Sequence, residues 1–483
     1  MYRCVIAGGS PSFAGKYGLD SDLNFMKYDL LVVGGGPAGY VGAIRAAQLG
    51  KRVACIEKER AGGTCLNWGC IPTKSLLRNA ELFHLMKHRA EEFGFSFDNL
   101  RHDWSKIIKR SRDVADKNAG GIEYLFKKNK VDYLRAEASL ERAGEVSAKS
   151  ADGQVQKFEA ANILLSTGVV SRPLPGLPFN GTTIIGSREA MVLQPQPQSI
   201  VIIGAGAIGV EFAYFFNAFG TKVTLVEMLP NILPMEDTDA SLALEKAFAK
   251  LGIQVLTNTR VAGTETGKDG VKIAIEGKTK ETIAAEVCLV AIGVQPLLPG
   301  GTAVKLTRRG FIETDARYQT SIPGVFAAGD IIGPPLLAHA ASYEAIQAVE
   351  GMFTNHVPKK VGAFPSCIYC QPQVASVGLT ERAAREKGLR FKVGKFPFSA
   401  SGKARAVGET DGFVKLLFGE QYGELLGAHI VGAEATEMIA EMGLAITLEA
   451  THEEIEATIH AHPTLSEGVH EATGQAFGRA IHI

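Results

Sequence analysis

The same glycine-punctuated pattern occurs twice in this chain, and few folds accommodate it. "YDLLVVGGGPAGYVGAIRAAQLGKRVACIEK" spans 28–58 and "SIVIIGAGAIGVEFAYFFNAFGTKVTLVEM" spans 199–228. Each reads as strand, tight turn, helix, second strand. The first turn carries Gly34, Gly36 and Gly39; the second carries Gly204, Gly206 and Gly209. In this G-x-G-x-x-G spacing the first glycine permits the turn, the second lets backbone approach a pyrophosphate, and the third lets the helix sit close to the strand. The helix N-terminus then offers free N–H groups to phosphate. Glu57 and Glu227 end the second strands, where an acid can bind ribose hydroxyls. One such turn is weak evidence. Two, each with strand, helix and terminal acid, predict two dinucleotide sites.

Glu227 favours a free 2′-hydroxyl over a 2′-phosphate. The following "MLPNILP" supplies no arginine, so NAD is expected in the second site rather than NADP. "ILLSTG", "CLVAIG" and "GVFAAGD" read as buried strands that end near cofactor. "SRPLPGLP" and "VQPLLPG" bracket the second fold, so it is expected to be inserted in the first. The expected class is α/β: two Rossmann-like dinucleotide-binding domains plus a C-terminal α+β domain. The expected boundaries are an extension over 1–26, a first domain over 27–173 and 296–361, a second over 174–295, and a third over 362–483.

The 51 basic and 51 acidic residues cancel, so nothing favours nucleic acid or an anionic membrane as partner. "IVIIGAGAIGVEFAYFFNAFG", 200–220, is long enough to span a bilayer, but Glu211, Asn217 and its glycine break favour a soluble core. Residues 1–25 hold Arg3 and Lys16 and no acid before Asp20, a weak match to a transit peptide. An upstream extension or misplaced start, with Met26 as an alternative start, fits better. The cytoplasm is therefore expected, or the mitochondrial matrix if this segment is a transit peptide.

Seven cysteines are too few and too scattered for a secreted disulfide framework. Cys65 and Cys70 sit together in "GGTCLNWGCIPTK". This pair can be a structural staple, a metal clip or a working disulfide. A metal needs about four ligands, and none lies nearby in sequence. A disulfide needs distortion, because residues five apart on a helix rise about 7.5 Å, whereas bonded Cα atoms lie within about 6.8 Å. Pro72 supplies a cause, since it clashes with the carbonyl of Trp68, and Gly69 adds freedom. A second pair in "CIYC", Cys367 and Cys370, reads as a strand that points the two thiols to opposite faces, so it is expected to be inert. The tail "IHAHPTLSEGVHEA" offers a base for thiol chemistry: His462 oriented by Glu467, with His460 nearly as good by spacing. A zinc cluster there is the weaker reading, and no metal is expected.

With these segments in this order, the chain resembles the flavoprotein disulfide reductases, and within them the dihydrolipoyl dehydrogenases, over about residues 27–483. "GGGPAGY", "CLNWGCIPTK", "GAGAIGVEF", "GVFAAGD" and "HPTLSE" carry the resemblance. It implies FAD on Gly34, Gly36 and Gly39, with Glu57 on the ribose, and with Thr64, Cys65 backbone, Ala138, Asp330 and Ala338 also in contact. It implies Lys74 beside the isoalloxazine, paired with Glu211. It implies NAD on Gly204, Gly206, Gly209, Glu227, Val261 and Gly293. Cys65 becomes the interchange thiol and Cys70 the charge-transfer thiol. His462, held by Glu467, serves the partner subunit's disulfide in a homodimer. The implied reaction is dihydrolipoyl group + NAD⁺ → lipoyl group + NADH + H⁺. The implied carriers are lipoyl domains of 2-oxo acid dehydrogenase E2 chains, which this E3 component would serve, or the glycine cleavage H protein. "GVQPLL" departs from the family's Gly-Arg-x-Pro-Asn, and "RAEA" lacks glycines common beside FAD. The alternatives are another flavoprotein disulfide reductase, such as a mercuric reductase, or a partner-binding subunit with vestigial chemistry.

Overall fold

The computed structural model describes residues 26–267, 270–301 and 303–483. The N-terminal segment 1–25, with its readings as extension or transit peptide, lies outside them.

The first sheet has eight strands, and its centre is parallel. Met26–Val33 lies between Val53–Glu57 and Val155–Leu165, and Val325–Ala327 joins Val155–Leu165 from far along the chain. These strands are covered on both faces, so they read as continuous apolar runs rather than alternating ones. Helix α1 (Pro37–Gln48) packs on this sheet. Next come α2 (Gly63–Trp68), α3 (Cys70–Arg89) and α4 (Trp104–Lys128). The chain then leaves through Val169–Ser171 and returns through Val294–Pro296, and these two crossing strands pair antiparallel.

Between the crossings lies a second, all-parallel sheet of five strands. Its order is Gln254–Leu256, Lys222–Val226, Ser199–Ile203, Val287–Val290, Ile184–Ile185. Helix α5 (Ser187–Ala190) follows the edge strand, α6 (Ala207–Ala218) follows the glycine turn, and α7 (Thr238–Lys250) follows Lys222–Val226. The membrane-like stretch is thus one strand plus α6. That helix is apolar all round because it is buried all round. Phe212, Phe215 and Phe216 are buried on it, and Trp104 stacks 5.9 Å from Phe216. Among the described residues no helix is long and apolar enough to cross a membrane.

Helix α8 (Ala338–Phe353) returns to the first sheet beside α1. Beyond it, five antiparallel strands between Ser366 and Gly432 form a third sheet. Helices over Ala435–Thr447 and Glu467–Ala476 pack on it, which makes this the α+β domain expected from the sequence.

A buried charge cluster ties this third sheet to α7. Lys415, 2% exposed, lies 2.7 Å from Asp237, 3.1 Å from Asp239 and 2.6 Å from Glu381. Asp237 is also the N-cap of α7. Removing the cation would leave buried Asp237 without its counter-charge, a loss of up to about 3–5 kcal/mol, while Asp239 keeps Lys395 and Glu381 keeps Arg385. Lys415→Met is therefore expected to lower the denaturant midpoint of the C-terminal sheet. An unchanged midpoint would show that water or another cation replaces the lysine.

Candidate active site

Both glycine turns form as the sequence demands. Gly34 has φ +100°, and a Cβ at Gly39 would collide with the Gly34 carbonyl oxygen, so α1 packs against the turn with nothing between. The second turn repeats this with Gly204 at φ +100° and Gly209 against its carbonyl. No side chain caps α1 or α6, so their first N–H groups stay free for a phosphate. No atom lies within 4 Å of where a Gly206 Cβ would sit.

The two acids have a second job that the sequence did not disclose. Glu57 accepts from the N–H groups of Gly35 and Glu59, both at 2.7 Å. Glu227 does the same for Ala205 and Leu229, both at 2.8 Å. Each carboxylate therefore braces its own glycine turn. A carboxylate oxygen has two lone pairs, so each can still accept from a ribose hydroxyl.

A cavity of about 310 Å³ opens against the first turn. Gly34, Gly36, Glu57, Thr64, Cys65, Cys70, Ala138, Asp330 and Ala338 all line it. Gly39, Lys74 and Glu211 do not; Gly39 is spent on packing. The cavity fits FAD on two observations. A Cβ on Gly63 would come 2.6 Å from the Gly36 Cα, so two bare backbones form one cradle. Burial pushes the Asp330 carboxyl up to about 6, which a hydroxyl partner would relieve. The sequence reading missed Ser166, whose hydroxyl lies 3.0 Å from the carbonyls of Val33 and Gly34, and Arg188 and Trp68 in the same wall. None of Gly204, Gly206, Gly209, Glu227, Val261 or Gly293 lines this cavity. Gly293, at φ +115°, follows strand Val287–Val290 next to the second turn, and Val261 lies in the neighbouring antiparallel sheet.

The cysteine pair is held by a break between two helices rather than by a kink within one. Cys65 is in α2, and Cys70 is the first residue of α3. Gly69 makes the break with φ −149° and ψ −119°. Pro72 sits in the first turn of α3, where a missing N–H costs nothing. The proline is thus compatible with the break and is not its cause. A Cβ on Gly69 would press to 3.1 Å from the Thr64 oxygen.

Both cysteines are free thiols in this structure. They interact with one another and are not equivalent. The bond from Cys65 holds Cys70 below the ordinary thiol range, and the Lys74 charge adds to this against burial. Donating that bond and being buried push Cys65 well up. Lys74 lies one turn beyond Cys70. Its Nζ donates to both Glu211 oxygens, at 2.9 and 3.0 Å, and sits 4.4 Å from the Tyr369 ring centroid. Tyr369 N–H also donates to Glu211, at 3.0 Å. Glu211 is 5% exposed, and these partners make its burial tolerable.

The second pair, Cys367 and Cys370, lies near this ion pair. Strand Ser366–Ile368 ends before Cys370, so the alternation argument does not reach that residue. Burial pushes Cys367 up to about 11 and Cys370 higher still, and the Cys370 thiol donates to the Pro372 carbonyl at 3.5 Å. Two protonated, buried thiols are poor nucleophiles. Among the described residues no three or more His, Cys, Asp or Glu side chains gather as a metal would need.

The tail histidines separate cleanly. His460 is 6% exposed, with Nε2 2.8 Å from Glu441. His462 is 81% exposed, with Nδ1 2.9 Å from Glu467, which leaves Nε2 facing outward. Glu467 also accepts from Thr464 N–H at 2.8 Å. Burial raises this carboxyl, but the Thr464 and His462 contacts outweigh it and hold it low. No tail residue lines the cavity that holds the cysteines.

The chain is similar to known proteins along most of its length. Residues 28–345 match the pyridine nucleotide-disulphide oxidoreductase family, and residues 364–473 match its dimerisation domain. The dihydrolipoyl dehydrogenase of Chlorobaculum parvum is 44% identical over 459 residues, covering 94% of this chain and 97% of that protein. That of Zymomonas mobilis is 44% identical over 464 residues, covering 94% and 99%. The crystal structure of LpdA from Mycobacterium tuberculosis superposes with a TM-score of 0.85 at 26% identity, covering 93% and 99%. The chain belongs to the pyridine nucleotide-disulphide oxidoreductases, and within them to the dihydrolipoyl dehydrogenases.

Proposed function

We propose that this oxidoreductase oxidises a protein-borne dihydrolipoyl group with NAD⁺ as acceptor, and that Cys65 and Cys70 carry the exchange. The observation behind the residue assignment is the place of the two thiols in the fold. Cys70 is the first residue of α3, with Lys74 one turn beyond it, and both favour a thiolate there, so Cys70 is the better leaving group. Cys65 is the partner that the substrate attacks.

With the pair oxidised, a substrate thiolate attacks Cys65 Sγ. The S–S bond breaks and Cys70 leaves as thiolate. The second substrate thiolate then attacks the substrate sulfur of the mixed disulfide, closing the lipoyl ring and releasing Cys65. His462 Nε2 takes the proton of the first substrate thiol and gives it to solvent. It then takes the proton of the second and passes it to Cys65 as the mixed disulfide opens. Glu467 keeps the imidazole oriented and stabilises its cationic form. FAD, when bound in the cavity, supplies the two-electron link between the dithiol and NAD⁺. Gly34, Gly36, Thr64, Ala138, Asp330 and Ala338 would hold it, with Glu57 on its ribose. Lys74, fixed by Glu211, places a positive charge beside Cys70. Gly204, Gly206, Gly209, Glu227, Val261 and Gly293 would hold NAD.

His462 is exposed and does not line its own chain's cavity, and the dimerisation domain is the family's pairing module. Each subunit's His462 is therefore assigned to the other subunit's cysteines, in a homodimer with shared sites. The lipoyl carrier is an E2 lipoyl domain of a 2-oxo acid dehydrogenase complex or the glycine cleavage H protein, met in the cytoplasm or the mitochondrial matrix. The division at residues 174, 296 and 362 belongs to the same reading, supported by strands 300–301 and 325–327 rejoining the first sheet.

Initial-rate kinetics with dihydrolipoamide and NAD⁺ test the function. Parallel reciprocal plots, from alternating half-reactions, are expected. Reduction of glutathione disulfide or Hg²⁺ without dihydrolipoamide turnover would overturn it. Glu227 gives a second test. It meets a 2′-phosphate with like charge, so NADP⁺ should be at least about tenfold poorer than NAD⁺ in kcat/KM. Equal use of both would remove Glu227 from the ribose.

A further inference from the structure

Trp68 ends α2 and stands between the two cysteines in sequence. It shares the cavity wall with both. Two guanidinium groups share its ring. Arg112 lies 4.5 Å from the ring centroid and Arg188 lies 4.2 Å from it. These arginines come from different parts of the fold. Arg112 is on α4, and Arg188 is on α5, directly after the edge strand of the second parallel sheet.

Two cations near one ring repel each other, so the arrangement needs opposing charge. Glu59 accepts from Arg188 at 2.9 Å. That bond holds Glu59 below the usual carboxylate range, with a smaller share from Trp68 itself. Asp116, one turn beyond Arg112 on α4, attracts Arg112 and pairs with Arg60 at 2.5 Å. Arg112 does more than stack, because its Nη2 donates to the Asn67 carbonyl at 2.7 Å. The Asn67 amide in turn donates to the carbonyls of Ala61 and Gly63, at 3.0 and 2.9 Å. Among the described residues the buried Arg112 Nε has no hydrogen-bond partner. Among the same residues, its contacts are to the segment between the cysteines and to the charges around it.

We propose that Trp68 is a positioning residue for the Cys65–Cys70 exchange, clamped by Arg112 and Arg188. The clamp ties the end of α2 to α4 and α5, and α3 packs on the same α4, so the clamp fixes how closely the two sulfurs approach. Disulfide geometry is narrow, with Cβ atoms about 3.5–4.5 Å apart. A loop held in register favours the bond. A loose loop dilutes one thiol with respect to the other and favours the dithiol. This proposal rests on reading the pair as the redox centre.

The test reads the thiol–disulfide equilibrium rather than activity. The FAD-loaded enzyme is equilibrated without oxygen against graded ratios of reduced to oxidised dithiothreitol. In this exchange the protein disulfide gains two electrons and two protons as dithiothreitol closes to its cyclic disulfide. Acid quenching, alkylation and mass spectrometry then report the state of Cys65 and Cys70. Trp68→Leu should move the equilibrium about tenfold towards the dithiol, equal to about 30 mV. Trp68→Phe keeps a ring for the guanidinium groups and should move it less than about threefold. Arg112→Ala removes the Asn67 bond and one side of the stack, and should shift it in the same direction as Trp68→Leu. It also serves if the leucine variant does not fold. Leucine and alanine variants that titrate with the wild type would overturn the clamp. A wild type that forms no reversible Cys65–Cys70 disulfide would overturn the functional reading instead.

Discussion

Cys65→Ser is expected to abolish dihydrolipoamide turnover, by at least about 10⁴-fold, because the attacked sulfur is gone and no other group can replace it. Cys70→Ser should be equally inactive for a different reason, since the leaving thiolate is lost. The two variants part company in the thiol that remains. Serine at position 65 can still donate a hydrogen bond to Cys70, and Lys74 still lies beside it. Cys70 should therefore react with iodoacetamide below the pH at which an ordinary thiol does. In Cys70→Ser, Cys65 loses the contact that raises it most but keeps its burial, and it lacks the place at the start of α3 that favours a Cys70 thiolate, so it should need a higher pH than Cys70 does. Peptide-resolved alkylation against pH makes the comparison. Cys55, Cys288, Cys367 and Cys370 are held protonated by burial and should stay silent. The opposite ranking would exchange the roles of the two thiols.

His462→Gln should lower lipoyl turnover by about 10²–10⁴-fold, the usual worth of a positioned proton acceptor. Glutamine keeps a polar group of similar reach but cannot take a proton at neutral pH. Reduction of the cysteine pair by NADH needs no proton acceptor for a lipoyl thiol. That half-reaction, followed by thiol titration, should survive in His462→Gln. Loss of both half-reactions to the same degree would mean that His462 supports the fold rather than the proton transfer. His460→Gln is the control. With its ring turned inward onto Glu441, it should alter stability more than the lipoyl half-reaction.

The parts of this molecule legible in the sequence are those imposed by local sterics. Gly34 and Gly204 need left-handed backbone, and Gly39 and Gly209 have no room for a Cβ, so the turns announce themselves in residue spacing. The strand character of the two parallel sheets was equally plain, because buried parallel strands leave unbroken apolar runs. Distortion at the cysteine pair was also foreseeable from distance alone. Its form was not. The sequence suggested a proline-bent helix, whereas Gly69 separates two helices and Pro72 merely tolerates the start of the second.

What stayed hidden depends on topology. Tyr369 reaches Lys74 and Glu211 only because the third sheet docks on the first two units. The stack on Trp68 joins residues 44 and 120 positions away from it, counted as 112 − 68 and 188 − 68. Lys415 finds Asp237 across 178 positions. No local pattern encodes such meetings. Spacing likewise left His460 and His462 nearly equal, and the difference in burial between them depends on the fold. The bracing role of Glu57 and Glu227 was invisible because the sequence names the acid and not the N–H groups that point at it.

The central claim is that a cysteine pair in one subunit works with the His462 of the other. Subunit complementation tests it most directly. Cys65→Ser chains and His462→Gln chains are each inactive as homodimers. Unfolded together and reassembled, they form mixed dimers in which one site combines an intact cysteine pair with an intact histidine. Dihydrolipoamide–NAD⁺ activity should then appear, approaching half that of a wild-type dimer for each mixed dimer. If mixed dimers form and stay as inactive as the parents, the histidine and the cysteines that work together belong to the same chain, and the shared site is wrong.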